Sequence, residues 1–114
     1  MKSYTDLEQS KKLAEILPLE SADNVIVSFG NRDGVKTVVM PKETFDTIKT
    51  PFSDIRKIIP CWSLAALIGV LKDGALDFTN SRFRVYSNGV TKYMDNPIDA
   101  CSEMIIKLHE QKLL

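Results

Sequence analysis

The sequence predicts one α+β domain over residues 1–114, with helices packed on antiparallel sheet in the order α-ββ-(short helix)-α-βββ-α. Three observations carry this. Residues 96–114 read as a capped amphipathic helix, residues 75–94 alternate apolar and polar around an Asn88-Gly89 turn, and Leu64 to Leu71 is an apolar run bounded by helix signals. A chain of 114 residues can bury a core without disulfides or metals.

Taken in order, Thr5 followed by Glu8 is a capping-box signature, and Leu7, Leu13, Ala14, Ile16 and Leu17 then form a broad apolar helix face. Pro18 ends that helix because it cannot continue the hydrogen-bond ladder, and residues 21–24 read as a connection. Val25 to Phe29 and Val35 to Met40 are β-prone runs separated by the turn cluster Gly30 to Gly34, which makes a hairpin. Between Pro41 and Pro60 the prolines leave short pieces, read as helical turns over Thr44 to Ile48 and Ser53 to Ile58, the second capped by Ser53. Phe45, Ile48, Phe52, Ile55 and Ile58 are expected to pack.

Ser63 is placed to cap the next helix, with Trp62 before it packing on Leu67. Its apolar residues on nearly all sides predict the central buried helix, with Gly69 permitting close approach by a neighbour. Beyond Gly74, Leu76, Phe78, Phe83, Val85, Val90 and Met94 form the inward set of a sheet. A type I′ turn at Asn88-Gly89 sets Ser87 opposite Val90, Tyr86 opposite Thr91, Arg84 opposite Tyr93 and Arg82 opposite Asp95. The last helix has Asn96 as cap, Pro97 at its first position and Asp99 in its first turn. Ile98, Cys101, Met104, Ile105 and Leu108 form its apolar stripe, opposite Asp99, Glu103 and Lys107.

Fifteen basic residues balance fifteen acidic ones and are interspersed, so overall charge favours neither nucleic acid nor an anionic membrane. The longest apolar stretch, eight residues, falls short of the roughly twenty a spanning helix needs, so no membrane partner is expected. Two cysteines with apolar neighbours and no leader-like run predict a reducing, cytoplasmic setting.

No catalytic, metal-binding or cofactor-binding residue is expected. His109 reads as a helix-end residue, and Cys101, eight positions earlier on the same helix, lies about 12 Å from it by the helical rise. Cys61 reads as a small core residue, with a Cys61–His109 pair left geometrically open. Two cysteines and one histidine lack zinc spacing, and Asp95 and Asp99 are accounted for by cross-strand pairing and helix capping. The Gly30 to Gly34 segment joins strand to strand, unlike a phosphate-cradling loop. The candidate binding face is Arg82, Arg84, Tyr86, Thr91 and Tyr93, outward on the second sheet. It reads first as structural, with Arg84 over Tyr93 as a cation–π pair and Arg82 against Asp95 as an ion pair. Its alternative use is to hold single-stranded nucleic acid by phosphate contacts and stacking.

Three blocks, EQSKKLAEILPLESAD at 8–23, PCWSLAALIGVL at 60–71 and NPIDACSEMIIKLHEQKLL at 96–114, cover 47 of the 114 residues. They resemble a group of small uncharacterised proteins encoded in gut Bacteroidetes genomes and their phages or mobile elements, in which similar blocks flank β-rich middles that vary. The resemblance implies no activity, ligand or cofactor. If the variation of those middles reflects a changing partner, the hairpin at residues 25–40 is where that partner would be met. The expectation is therefore a non-catalytic accessory protein that binds another protein or itself through sheet edges, or through Leu113 and Leu114. A weak nucleic-acid binder and an enzyme with an unrecognised site are the alternatives.

Overall fold

A computed structural model describes residues 3–31, 34–48, 55–71, 74–79 and 82–113. Helix α1 spans Leu7–Ile16 and leads through a 3-10 turn at Leu19–Ser21 into strands β1 (Asn24–Asn31) and β2 (Gly34–Pro41). Helix α2 (Lys42–Ile48), strand β3 (Ile55–Cys61) and helix α3 (Leu64–Val70) follow. Strands β4 (Ala75–Thr79), β5 (Arg82–Ser87) and β6 (Val90–Met94) then precede helix α4 (Pro97–Glu110). The strands make two antiparallel three-stranded sheets, ordered β2-β1-β3 and β4-β5-β6. The predicted α+β class and element order hold, with β3 added.

Helix α4 is the backbone of the core. Asn96 Oδ1 accepts hydrogen bonds from the N–H groups of Ile98 at 2.8 Å and Asp99 at 3.3 Å, so the predicted cap forms. The predicted stripe of Ile98, Cys101, Met104, Ile105 and Leu108 is buried against β5, β6, α1 and α3. At the other end Lys112 takes φ 58°, Leu113 N–H donates to Leu108 C=O at 2.8 Å and Lys112 N–H to His109 C=O at 3.0 Å. These two bonds form a Schellman motif, which folds Leu113 back towards Leu108.

Two helices differ from the sequence expectation. The capping box of α1 is built by Asp6 and Gln9, one residue beyond the predicted Thr5 and Glu8. Thr5 is needed elsewhere: its buried hydroxyl meets Ser10 Oγ at 2.8 Å and accepts from Trp62 N–H at 3.1 Å, joining the chain's start to the approach of α3. Leu7 is exposed, while Leu13 and Leu17 are buried. Helix α3 is not the central buried helix. Ser63 caps it as predicted, accepting from Ala66 N–H at 3.3 Å, but within α3 only Leu67 is buried. Ile68 and Gly69 face outward, and a Cβ on Gly69 would meet nothing within 4 Å, so no neighbour approaches it closely. Seven residues make about two turns, and α4 supplies the long face that the core requires.

Strand β3 corrects the helical reading of Ser53 to Ile58; Ser53 and Phe52 lie outside the described residues. Residues from Ile55 onward pair antiparallel with β1, which becomes the central strand with β2 on its other side. Ile58 and Ile59 are β-branched and suit this place, and Pro60 is tolerated because β3 is an outer strand. Phe45 of α2 packs on Val25 and Val27, as expected, whereas Ile58 is exposed and Ile59 is buried beside Ile26 and Cys61. The side chains of Ile48 and Ile55 lie outside the described set. The apolar interior is thus three clusters, the largest around α4, and the chain is extended to 49 × 28 × 21 Å. Its radius of gyration of 15.6 Å exceeds the about 13 Å typical of a compact domain of this length.

Candidate functional site

Two regions present chemistry to solvent: the outer face of the second sheet and a groove at its opposite, helix-covered side. The hairpin of β5 and β6 has the predicted register, with Ser87 opposite Val90, Tyr86 opposite Thr91 and Arg84 opposite Tyr93. Asn88 at φ 50° and Gly89 at φ 79° both lie in the left-handed region that a type I′ turn needs. Arg82, Arg84, Tyr86, Thr91 and Tyr93 therefore share one face, with Tyr86 and Tyr93 exposed.

Each arginine of that face stands beside a carboxylate. Arg82 Nε lies 3.6 Å from Asp95 Oδ1, as the register predicts. Arg84 is held by a partner on the adjoining strand: Nε donates to Asp77 Oδ1 at 3.0 Å and Nη2 donates to Asp77 Oδ2, a bidentate grip of guanidinium on carboxylate. Hydrogen bonding to Asp77, then to Tyr93, raises the Arg84 pKa above its ordinary value. The guanidinium carbon sits over Tyr86, 5.3 Å from the ring centroid, so the cation–π partner is the residue two along the same strand instead of Tyr93. Asp77 draws Arg84 towards β4, which is why the cross-strand stacking expected from register alone is displaced. The carboxylate was legible only through the pairing of Asp77 with Arg84, which needs the β4–β5 register. At the strand end Phe78 turns 63% exposed against Phe83, ring centroids 5.0 Å apart, and leaves the inward set predicted for it.

The groove has a volume of about 710 Å³. Ile16, Leu17 and Pro18 at the end of α1, Gly69 and Val70 of α3, and Leu108 of α4 form much of its wall. Ser87 and Asn88 of the β5–β6 hairpin border it, as does Leu113, whose carbonyl accepts from Asn88 Nδ2 at 3.3 Å. The Schellman motif thus places Leu113 at the groove, and the hairpin turn holds it there.

Ser87 has the unusual position. It is 2% exposed, and among the described residues its hydroxyl and that of Ser102 are the buried side-chain polar groups without a hydrogen-bond partner. A buried hydroxyl in that state costs about 1–3 kcal/mol. The sequence held a signal for it, since Ser87 has the inward parity of Phe83 and Val85. Nearby Ser21 is satisfied, with its hydroxyl donating to Pro18 C=O at 2.6 Å and accepting from Trp62 Nε1 at 3.0 Å.

The remaining reactive side chains are kept apart. Cys61 is fully buried beside Ile26 and Ile59, and burial, then the nearby Asp23 carboxylate, pushes its thiol up to about 12. Burial alone pushes the Cys101 thiol up to about 11. His109 is exposed on the last turn of α4 and borders the groove. The Cys61–His109 pairing left open by the sequence is not formed, because Cys61 is enclosed in the first sheet's cluster. Asp99 caps α4 electrostatically and also accepts from Gln9 Nε2 at 2.8 Å, tying α1 to α4. Asp23 takes another structural role. Partial burial pushes its carboxyl upward, but hydrogen bonds from the Ser63 hydroxyl and N–H outweigh this and lower its pKa. Among the described residues no three His, Cys, Asp or Glu side chains form a metal-binding group, and no helix is long and apolar enough to cross a membrane. The hairpin of the Gly30 to Gly34 segment pairs Asn31 with Gly34; residues 32 and 33 lie outside the described set.

No protein-family model matches the chain, and no curated protein or solved structure matches it.

Proposed function

We propose that this is a non-catalytic binding protein that acts by pairing the outer edge of β2 with another strand, a second copy of itself being the first candidate. One observation carries the reading. β2 is an eight-residue outer strand on which Lys36, Thr37, Val38 and Val39 are all exposed, the two valines by 43% and 40% on opposite faces. An outer strand of this length offers unpaired backbone groups to an incoming strand, and β-branched side chains on both faces favour the extension.

The buried, poorly ionised thiols support a role without nucleophilic chemistry. The resemblance of the three sequence blocks supports an accessory protein of phage or mobile-element type, working in the cytoplasm. Nucleic-acid binding by Arg82, Arg84, Tyr86, Thr91 and Tyr93 is the weaker reading, because Asp95 and Asp77 offset both arginines.

Sedimentation across micromolar concentrations tests the proposal. The chain should self-associate, and a Val38→Lys/Val39→Lys variant should remain folded and associate less, since a charged edge resists strand addition. A chain that stays monomeric throughout, together with a pull-down from its native host that returns no protein, would overturn the reading.

A further inference from the structure

The hairpin register fixes which backbone groups of β2 point away from β1. Asn31 pairs with Gly34 at the turn, and a closing pair so near in sequence must be one that exchanges backbone bonds. Bonded pairs alternate along an antiparallel ladder, so Lys36, Val38 and Met40 also direct N–H and C=O to β1, while Val35, Thr37 and Val39 direct theirs to the open edge. The prolines agree with this alternation. Pro41 lies opposite Asn24 and Pro60 opposite Val25, each at a place where the ladder to β1 asks for no N–H.

The outward groups are evenly spaced about Thr37, so the edge complements itself. We infer that β2 joins β2 of a second copy antiparallel about a two-fold axis at Thr37, a register that rests on the strand pairing proposed above. Thr37 then stands opposite Thr37 and Val35 opposite Val39, each pair exchanging both backbone bonds, in a joined sheet ordered β3-β1-β2-β2-β1-β3. The neighbouring registers lose by charge and by bonding. A shift towards the turn sets Lys36 directly opposite Lys36, and like charges so placed repel. A shift the other way sets Val35 opposite Pro41, whose missing N–H leaves the Val35 carbonyl without a donor. With the axis at Thr37, Lys36 instead faces Val38 of the other copy, on the side of the sheet where Phe45 of α2 packs on Val25 and Val27. Helix α2 brings the exposed acids Glu43 and Asp46 to that side. On the opposite side Thr37 Oγ1 lies 3.4 Å from Ser28 Oγ, so the pairing continues a row of hydroxyls across the axis.

This register has a distinctive cross-linking pattern. Lys36 of one copy and Val38 of the other form a non-hydrogen-bonded pair with Cα atoms about 4.5 Å apart, whereas each lies about 7–8 Å from its own counterpart. A disulfide needs Cα atoms within about 7 Å. Under mild oxidation Lys36→Cys alone and Val38→Cys alone should therefore stay uncross-linked, while their equimolar mixture should yield the mixed disulfide dimer. Both native thiols are buried, so the native chain is the background control. In a mixture of isotope-labelled and unlabelled native chains, filtered NOE spectra should place Lys36 Hα against Val38 Hα of the other copy, which tests the register with no substitution.

Cross-linking of Val38→Cys alone, or of Lys36→Cys alone, overturns the axis at Thr37 while leaving strand pairing in place. Self-association in sedimentation with neither the mixed disulfide nor the Lys36 to Val38 NOE also overturns it, and assigns the contact to another surface. A chain that is monomeric at all micromolar concentrations removes both the register and the reading on which it rests.

Discussion

Removing both thiols should flatten the loss of stability on going to alkaline pH. Cys61 and Cys101 are fully buried, and their pKa values rise from 9.0 to about 12 and about 11. A group whose folded value lies above its unfolded value contributes stability that is complete below the unfolded pKa and is lost as pH rises towards the folded one. The window therefore opens near pH 9 and extends to about 11 for Cys101 and about 12 for Cys61. At about pH 10 each unfolded thiol is largely ionised while each folded one is not, which lowers stability by about 1.4 kcal/mol per thiol, or about 3 kcal/mol for the pair. That is a large share of the roughly 6–17 kcal/mol expected for a domain of this length.

Urea unfolding at about pH 8 and about pH 10, compared between the native chain and Cys61→Ala/Cys101→Ala, isolates this contribution, because Lys and Tyr titration is common to both proteins. The variant should start less stable, having lost buried atoms, yet decline less with pH. Equal declines would refute the reasoning and show that the thiols ionise as readily inside the fold as outside. That outcome would also reopen a nucleophilic role for one of them.

The end of α4 and the arginine face yield two further expectations. Lys112 holds φ 58° in the Schellman motif, a conformation that costs a side-chain-bearing residue more than glycine, so Lys112→Gly should raise stability by about 0.5–1 kcal/mol. Lys112→Ala, which removes the charge but keeps the Cβ, should give no such gain in thermal unfolding; equal gains would rule out the backbone explanation. With both arginines held by carboxylates, the native chain should leave the anisotropy of a labelled oligo-dT strand unchanged at about 0.1 M salt. A salt-sensitive rise that Arg84→Ala and Tyr93→Ala both reduce would restore the nucleic-acid reading.

The regions that sequence described well are those whose signals are local. Asn96, Pro97 and Asp99 start α4 through cap geometry and the helix dipole, and Asn88-Gly89 sets the β5–β6 register because both residues accept positive φ. That register, together with strand alternation, puts all five face residues on one side of the second sheet. Their electrostatics was less legible, since Asp77 reaches Arg84 only through strand pairing with β4. The groove was missed altogether: its wall joins α1, α3, α4 and the β5–β6 hairpin, residues separated by up to about a hundred positions in the chain.

By itself the sequence determined the helix starts, the tight turn, the apolar stripe of α4 and the α+β class, because caps, turns and periodicity depend on neighbouring residues. Only the tertiary structure decided that the Ile55–Cys61 segment is a strand, that α3 lies at the periphery, and that Ser87 borders a groove. A short apolar segment has weak intrinsic preference. Its state follows from which unpaired edge or uncovered face it meets, here β1 for β3 and α4 for α3, and that is a property of the assembled chain.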